Sequence, residues 1–360
     1  MGGMPNSIAR KKSSSRPIAS KSPAIKNYDW GDFTALPDFI GAPRDAKPWA
    51  ELWFGTHPDG QATLQTGQGK VALKDVVGEL SFLVKLIGVA KPLSIQTHPT
   101  SAQALAGFER ENSLGIDRTA FNRVYRDKTS KPELLCALSD FEMLCGFAPV
   151  NESLARAEQN GWLELARHLK LTGIEKTVRW ALEEKAHKTP PNLPQHLRKV
   201  AELYPNTGGL LVALLMNYVV LKPGDAVYLD PGNVHSYLGG VAVEVMSSSD
   251  NVMRAALTQK HIDLNEFFAT ASFESRAALM VSPSSPSGDE VNYQIDSAPF
   301  TVQRITVNDY MSLTAQNEIE LYLCVQGQSG VLRQGQACVL RKHETLKLSG
   351  PSVVFRIHEK

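Results

Sequence analysis

The sequence predicts a mainly β protein with a helical insertion, made of two jelly-roll β domains and an α-helical domain. Short apolar segments alternate with turn residues from Tyr28 to about Phe147, and this pattern returns from Val219 onwards. Short strands at roughly ten-residue spacing are typical of β-sandwiches and double-sheet jelly rolls. The stretch between the two β regions is rich in Ala, Leu, Glu, Arg and Lys, which favours helices.

We divide the 360 residues into four segments. Residues 1–26 are rich in Ser, Pro, Lys and Arg, with little to bury, and predict a disordered basic tail. Residues 27–150 and 205–285 together form the first jelly-roll domain, in which we expect the functional site. Residues 151–204 form the helical domain. Residues 286–360 follow a Ser/Pro/Gly linker and predict a second, smaller β domain.

Individual elements follow from the local pattern. The apolar run Phe82–Val89 predicts a buried strand, and Ile319–Val325 predicts a strand of the C-terminal domain. Apolar residues recur at near-helical spacing between Leu154 and Leu169, and a second helix is expected from about Ile174 to His187. Prolines then interrupt this pattern, and we expect a third helix to begin near Gln195.

The composition argues against several classes of protein. There are 38 Lys and Arg against 37 Asp and Glu, and the tail holds cations without acids, so the rest of the chain is slightly acidic. A protein that binds nucleic acid through a basic body is therefore not expected. The longest apolar run, Leu210–Leu221, is shorter than the roughly 20 residues of a membrane span. The N-terminus lacks a signal peptide's apolar core, and the four cysteines form no Cys-x-x-Cys pair, so we expect a reduced, cytoplasmic protein.

A segment near residue 95 contains side chains suited to metal binding. In Leu93–Pro99, the alternation of a strand places Ser94, Gln96 and His98 on one face. An amide oxygen and an imidazole on one face could bind the same metal ion. A polar edge strand with a structural histidine would show the same pattern.

Two further segments and one isolated carboxylate are candidates. Lys131–Glu133 is expected at a strand start, because its proline cannot donate to a sheet, and alone it is an ordinary loop. After the turn Pro231–Asn233, His235 and Tyr237 share one strand face, although a lone histidine is more often structural. Glu244 alternates with valines, so its carboxylate is expected to point inwards, where an unpaired charge is costly.

Together these segments supply a candidate ligand set of Gln96, His98, Glu133 and His235. Two imidazoles, a carboxylate and an amide oxygen suit Zn²⁺, although the ligand types leave non-haem Fe²⁺ or Mn²⁺ open. The neutral glutamine and the lack of cysteine ligands favour a catalytic over a structural site. One carboxylate leaves a divalent site with net positive charge, which would attract an anionic substrate.

Seven segments, in order, resemble the type I mannose-6-phosphate isomerases (phosphomannose isomerases), a family of zinc-dependent cupin enzymes. They span about residues 28–265 and are Tyr28–Gly31, Ala50–Pro58, Phe82–Lys85 leading into Leu93–Pro99, Lys131–Glu133, Phe141–Phe147, Pro231–Leu238 and Ser249–Thr258. The family fold of two cupin jelly rolls and a helical domain agrees with the segments above. The resemblance is loose after about residue 290 and does not include the tail.

The resemblance implies roles for individual residues. The four candidate ligands would bind one Zn²⁺, and Arg254 would act at the reacting carbons of the substrate. Further active-site positions of the family fall on Glu51, Lys131, Tyr237, Glu244 and Asp250, and phosphate-binding positions fall on Lys85 and Ser94. Ser130 stands where the family usually has histidine, which could alter a hydrogen bond next to the ligands.

The implied reaction interconverts mannose 6-phosphate and fructose 6-phosphate through a cis-enediol, and supplies mannose for GDP-mannose biosynthesis and glycosylation. Glu244 is the candidate base, and Lys131 is an alternative proton donor or carrier. The resemblance also implies a monomer whose partner is a small sugar phosphate, with no nucleic acid and no membrane. Two other classes remain open: a cupin with another metal-dependent activity, such as an Fe²⁺ dioxygenase, and a non-catalytic sugar-phosphate sensor. A sensor should lack Arg254, Lys131 or Glu244, and all three are present.

Overall fold

The computed structural model describes residues 18–66, 69–184, 186–284 and 288–360. In these ranges the protein is mainly β, with antiparallel sheets and a helical insertion, which confirms the predicted fold class. Residues 1–17, the larger part of the predicted tail, lie outside the described residues.

The strands before residue 285 include most of the predicted site residues. They are β1 (Ile18–Ser22), β2 (Ala24–Lys26), β3 (Glu51–Phe54), β4 (Thr63–Thr66), β5 (Gly69–Ala72), β6 (Phe82–Val89), β7 (Ile95–Thr97), β8 (Glu133–Ala137), β9 (Phe141–Phe147), β10 (Met216–Leu221), β11 (Ala226–Leu229), β12 (His235–Ser247), β13 (Met253–Ala256) and β14 (Leu279–Met280).

The strands after residue 287 make up the C-terminal part of the fold. They are β15 (Glu290–Tyr293), β16 (Phe300–Val307), β17 (Tyr310–Thr314), β18 (Ile319–Ser329), β19 (Leu332–Arg333), β20 (Ala337–Arg341), β21 (Thr345–Ser349) and β22 (Ser352–Glu359).

The helices of the described residues lie mainly between β9 and β10. They are α1 (Ala35–Ile40), α2 (Leu73–Val77), α3 (Ser101–Ser113), α4 (Val150–Gln159), α5 (Leu163–Glu183), α6 (Gln195–Leu203), α7 (Gly208–Leu215) and α8 (Leu264–Thr270). In the part of the chain that the structure describes, no helix combines the length and apolar character that a membrane crossing requires.

The long strand β12 organises the first sheet. That sheet has the strand order β14-β11-β8-β12-β6-β3-β2, and β7, β9, β10 and β13 extend it. The start of β12 pairs with β7 and β9, whereas the rest pairs with β6 and β8. The side chains of this one strand therefore lie next to β7 and β9 at its start and next to β6 and β8 along the rest.

A bulge in β12 changes which side chains share a face. Tyr237 pairs with Met143 and Gly239 with Glu142, so β12 has one extra residue between these two pairs. Gly240 has a φ of 118°, and a Cβ atom there would lie 2.6 Å from the carbonyl oxygen of Asp140, so only glycine fits. Residues on the two sides of the bulge can therefore face the same cavity despite their odd and even numbers.

The composition of the second sheet does not follow the predicted domain boundaries. Its strand order is β15-β16-β22-β18-β20-β1-β4-β5, so strands from the first 72 residues complete the C-terminal sheet. The prediction of a disordered tail to residue 26 is wrong for residues 18–26. They form β1, which pairs with β20, and β2, which pairs with β3. Backbone hydrogen bonds to two sheets order this segment, and its composition gives no sign of them.

The helical region also differs in extent. Helices α4, α5 and α6 agree with the three expected helices, but α7 lies beyond the predicted end at residue 204. All residues of α7 from Gly209 to Leu215 are buried, so the helix has no polar face and shows no helical periodicity. Helix α3 lies where short strands were expected, although Thr100 and Gln103 form a capping box that is readable in the sequence.

A shared apolar core joins the two sheets. Leu52 and Val84 of the first sheet belong to the same buried cluster as Leu321 and Phe355 of the second. A second cluster packs the helices against the site strands and includes Met253 of β13. Burial of apolar surface, at about 25 cal/mol per Å², is the main favourable contribution to the stability of such a core.

A buried carboxylate in the second sheet gives a test of this fold. Glu320 accepts hydrogen bonds from Arg356 at 2.7 and 2.8 Å and from the Tyr322 hydroxyl at 2.5 Å. Burial alone would raise the pKa of Glu320, but the bonds from Arg356 and Tyr322 outweigh it and lower the pKa to about 2.

We expect Glu320→Gln to lower the free energy of unfolding by about 3 kcal/mol at neutral pH, because Arg356 loses its charged partner. The carboxylate stabilises the fold fully above its ordinary pKa of 4.5, and this contribution falls as the pH drops towards about 2. The difference between wild type and variant, measured by urea unfolding, should therefore shrink at about pH 3. An equal difference at both pH values would contradict the assignment.

Candidate active site

Three side chains from separate parts of the chain meet at one point. His235 begins β12, Glu133 begins β8, and His98 follows the end of β7. Nε2 of His98 lies 3.4 Å from Oε1 of Glu133, and Nε2 of His235 lies 3.6 Å from Oε2. All three side chains are buried, and their donor atoms lie within 4.8 Å of one another. This group has the size of a single-metal site.

Each imidazole is oriented by a backbone carbonyl. Nδ1 of His98 lies 2.8 Å from the carbonyl oxygen of Asn251, and Nδ1 of His235 lies 3.1 Å from that of Asn233. A carbonyl can only accept, so Nδ1 of each ring carries the proton and Nε2 keeps its lone pair. Burial lowers the pKa of both imidazoles, that of His235 to about 4, so both are neutral at neutral pH. Both Nε2 atoms can therefore act as metal ligands.

Two donor atoms of this group have no other partner. Among the residues that the structure describes, Nε2 of His98 and Oε2 of Glu133 are buried without a hydrogen-bond partner. Such atoms are rare in folded proteins because they lose their hydration. A divalent cation between them would satisfy both, and neutral imidazoles with a carboxylate suit Zn²⁺. The residues present therefore fit a zinc ion.

Gln96 adds an amide from the neighbouring strand. It lies opposite His235 in the register of β7 and β12, and its Nε2 lies 3.4 Å from Nε2 of His235. The Ser94 hydroxyl donates to Oε1 of Gln96 at 2.9 Å. Turning the amide over would present Oε1 to the cluster, and the Ser94 hydroxyl could then accept from Nε2. Gln96 thus has the position of a fourth ligand.

A lysine supports the ligand carboxylate. Nζ of Lys131 donates to Oε1 of Glu133 at 2.6 Å, and both side chains are buried. Burial would raise the pKa of Glu133, but Lys131 and His98 outweigh it and hold this pKa well below its usual range. The carboxylate is therefore ionised, as a metal ligand must be.

A second buried cluster lies on β3, β6 and β12. Lys85 is opposite Glu244 in the register, with Nζ 3.0 Å from Oε2 of Glu244 and 3.4 Å from Oε1 of Glu51. The Tyr237 hydroxyl donates to Oε1 of Glu244 at 2.8 Å. Nε1 of Trp53 donates to Oε2 of Glu51 at 2.7 Å. One cation and two carboxylates are thus held in a single network.

Burial shifts the proton affinities in this network. It raises the pKa of Glu244, which Lys85 opposes and Glu133 reinforces, so the pKa stays above its ordinary value. Burial and Glu244 raise the pKa of Tyr237 well above its usual range. Burial would lower the pKa of Lys85, but Glu244 and Glu51 outweigh it and raise this pKa. Lys85 therefore stays charged, and Glu244 is a stronger base than an exposed glutamate.

A cavity of about 870 Å³ adjoins both clusters. Seven predicted site residues line it: Glu51, Lys85, Ser94, Gln96, Lys131, Asp250 and Arg254. The other five are buried and contact this lining directly or through one neighbour: His98, Glu133, His235, Tyr237 and Glu244. The structure thus brings all the predicted site residues together.

Positive charge faces the cavity around Arg254. Burial lowers the pKa of Arg254 to about 10, and the nearby charge of Arg126 adds to the effect. Partial burial and the charges of Arg254 and Arg126 also lower the pKa of Lys260. These cations create a positive potential that favours an anionic ligand. Arg126 has no motif of its own in the sequence and was not predicted.

A network of hydrogen bonds that supports the site was also not predicted from the sequence. Asp127 accepts from the Ser249 hydroxyl at 2.9 Å and from the backbone N–H of Asp250 at 2.8 Å. Oδ1 of Asn251 accepts from the backbone N–H of Arg126 at 2.8 Å. The polar run Ser249–Asn251 was the available signal, but its partner Asp127 is 122 positions away in the chain from Ser249. This support fixes the backbone carbonyl that orients His98.

The fold and the site define a metal-binding protein of the cupin type. Residues 19–150 match the family described as phosphomannose isomerase type I, catalytic domain. The mannose-6-phosphate isomerase of Shigella flexneri is 34% identical in an alignment that covers 89% of this chain and 92% of that enzyme. The human mannose-6-phosphate isomerase is 29% identical over 67% of this chain and 70% of its own length. The chain belongs to the type I phosphomannose isomerase family, as predicted.

Solved structures of this family have the same fold. A mannose 6-phosphate isomerase bound with zinc and yttrium has a TM-score of 0.88 and 30% identity, covering 96% of this chain and 100% of that one. The Salmonella typhimurium enzyme bound to its substrate fructose 6-phosphate (f6p) and zinc has a TM-score of 0.88 and 29% identity, with the same coverage.

The ligand assignment predicts the behaviour of a charge-neutral variant. Glu133→Gln should weaken zinc binding by at least about 100-fold, because ligand changes exceed the 10- to 100-fold losses seen for outer-sphere partners. Metal content after dialysis and competition with a chromophoric chelator would measure the change. Glu320→Gln, which alters another buried carboxylate away from the cavity, should keep wild-type zinc affinity. Unchanged affinity in Glu133→Gln would remove this residue from the ligand set.

Proposed function

We propose that this chain is a zinc-dependent aldose–ketose isomerase that interconverts mannose 6-phosphate and fructose 6-phosphate. The observation that carries the proposal is the cluster of His98, Glu133 and His235 beside a charged cavity. Among the described residues, Nε2 of His98 and Oε2 of Glu133 in this cluster have no hydrogen-bond partner. Membership of the phosphomannose isomerase family supports the same reaction and substrate.

The metal is assigned to four residues of one chain: Gln96, His98, Glu133 and His235. When bound there, zinc supplies a Lewis acid that stabilises negative charge developing on the sugar oxygens. Because one chain provides all four ligands, a monomer suffices as the active unit. The four cysteines are free and buried, which supports a reducing compartment such as the cytoplasm.

The isomerisation moves a proton from C2 of the open-chain aldose to C1 through a cis-enediol. Glu244 is our candidate for the base, because burial raises its pKa and Lys85 and Tyr237 hold its carboxylate in place. A general base is most effective when its pKa is shifted towards neutral pH. Lys131 lines the cavity directly next to Glu133 and is an alternative proton donor or carrier.

Three further side chains line the cavity where the sugar is expected to bind: Arg254, Asp250 and Glu51. Arg254 lines the cavity opposite Gln96 in the register of β13 and β7, which places a fixed positive charge near the proposed metal. Such a charge stabilises the enediolate without reorganisation. Asp250 and Glu51 line the same cavity, where their carboxylates can accept hydrogen bonds from sugar hydroxyls.

The substrate phosphate has two candidate positions. Lys85 and Ser94 were predicted to bind it, but Lys85 already faces two carboxylates, and the Ser94 hydroxyl donates to Gln96. Arg126 and Lys260 line the cavity with Arg254, and burial together with repulsion from Arg254 and Arg126 lowers the pKa of Lys260. We therefore propose that the phosphate binds towards Arg126 and Lys260, with Lys85 and Ser94 as the alternative.

The first test is catalysis by the purified protein. We expect turnover of mannose 6-phosphate to fructose 6-phosphate that a chelator abolishes and added zinc restores. Zinc binding without turnover would favour a sugar-phosphate sensor. Activity restored by Fe²⁺ with consumption of oxygen, and no isomerisation, would favour a dioxygenase of the same fold.

The base assignment predicts a selective defect in proton transfer. Glu244→Gln is nearly isosteric and should lower kcat by about 10²- to 10⁴-fold, the usual contribution of a general base. Exchange of the C2 hydrogen with deuterated water, followed by NMR, should fall in parallel. Glu320→Gln serves as the control, because it also removes a buried carboxylate that pairs with a tyrosine and a cation. If Glu244→Gln keeps exchange, Glu244 is not the base; if Lys131→Met then loses exchange with zinc still bound, Lys131 carries the proton.

A further inference from the structure

A buried histidine contacts the cavity carboxylate Asp250. His57 follows β3 and begins a turn, which is closed by a hydrogen bond from the N–H of Gly60 to the carbonyl oxygen of His57. Its side chain is 3% exposed, and its Nε2 lies 3.4 Å from Oδ2 of Asp250. The ring packs edge-on against Trp53 with centroids 5.0 Å apart and an interplanar angle of 81°. His57 was not among the site residues predicted from the sequence.

The backbone decides which ring nitrogen of His57 carries the proton. The N–H of Asp59 donates to Nδ1 of His57 at 3.2 Å, so Nδ1 must provide a lone pair. In the neutral ring the proton therefore lies on Nε2, which faces the Asp250 carboxylate. A neutral N–H in this position stabilises the Asp250 carboxylate but leaves its negative charge in place, so Asp250 can still attract nearby cations.

We propose that His57 is a positioning residue of the isomerase site: its Nε2–H holds the Asp250 carboxylate towards the cavity, where Asp250 accepts hydrogen bonds from hydroxyl groups of the sugar. This inference rests on the proposed isomerase function. Asp250 is held on two sides, because its backbone N–H also donates to Asp127 at 2.8 Å. Trp53 joins His57 to the second cluster, since its Nε1 donates to Glu51.

The same residues do not make a second cation site. His57, Asp59 and Asp250 have donor atoms within 4.8 Å of one another. However, the N–H of Asp59 occupies the lone pair of Nδ1, and Nε2 carries the proton in the neutral ring. Neither nitrogen of His57 is free to bind a metal in this arrangement. The group is therefore a buried contact between a histidine and a carboxylate at the cavity wall.

The test compares two substitutions of His57 in the zinc-loaded full chain. His57→Phe keeps the aromatic contact with Trp53 but removes both polar contacts, and should lower kcat/KM by about tenfold, as expected for a lost hydrogen bond to a charged group. His57→Gln can accept from the Asp59 N–H and donate to Asp250, and should restore most of this loss. Asp250→Asn, measured alone and combined with His57→Phe, completes a double-mutant cycle. In the Asp250→Asn background, His57→Phe should lower kcat/KM little further.

A matched control separates positioning from packing. His187 is buried, packs edge-on against Trp180 at 4.9 Å and lies 3.7 Å from the Glu184 carboxylate, but it is in the helical region away from the cavity lining. His187→Phe should leave kcat/KM unchanged, and zinc content and melting temperature are measured for every variant.

Three results would overturn the inference while wild-type turnover remains. They are an unchanged kcat/KM in His57→Phe, additive losses in the cycle, and the loss of a second equivalent of bound metal in His57→Phe. An inactive wild-type protein would instead contradict the proposed isomerase function.

Discussion

The register of β12 is the constraint on which the site depends. The strand places His235 opposite Gln96, Glu244 opposite Lys85, and Met246 opposite Glu133. Side chains alternate along a strand, so a slip of one residue would turn the pairing partners to opposite faces. The shared core between the two sheets resists such a slip, because Val243 and Val245 of β12 pack in the same cluster as Leu321 and Phe355. Packing on the opposite face of β12 therefore helps to hold the proposed ligands in place.

Charge compensation is the second requirement. Removing carboxylates and ammonium groups from water is costly unless each has close partners. The structure meets this condition with Lys131 on Glu133 and with Lys85 between Glu51 and Glu244. The same compensation separates the roles of the two glutamates: Glu133, a proposed metal ligand, has a pKa held well below its usual range and stays ionised, whereas Glu244 has a raised pKa. The cations around Arg254 face the cavity instead, where an anionic substrate can pair with them.

Much of the architecture was predictable because its signals are local. Strand periodicity, turn residues and the composition of the helical stretch identified the fold class, and ordered motifs identified the family. The errors have a common cause in long-range contacts. Residues 18–26 look like a solvated tail until β1 pairs with β20, more than 300 positions away. Helix α7 lacks a polar face because its environment buries all sides, so its sequence resembles a strand.

The sequence alone specified the chemical types at the site: the two imidazoles, the carboxylates, the amide and the cations, each in a motif of a few residues. The tertiary structure decided which of them meet. The bulge of β12 between Tyr237 and Gly239 lets Tyr237 hydrogen-bond with Glu244, although one has an odd and the other an even number and simple alternation would put them on opposite faces. Likewise, Asp127, Arg126 and His57 join the site only through folding. Chemical identity belongs to single residues, whereas proximity depends on the pairing of strands that are distant in sequence.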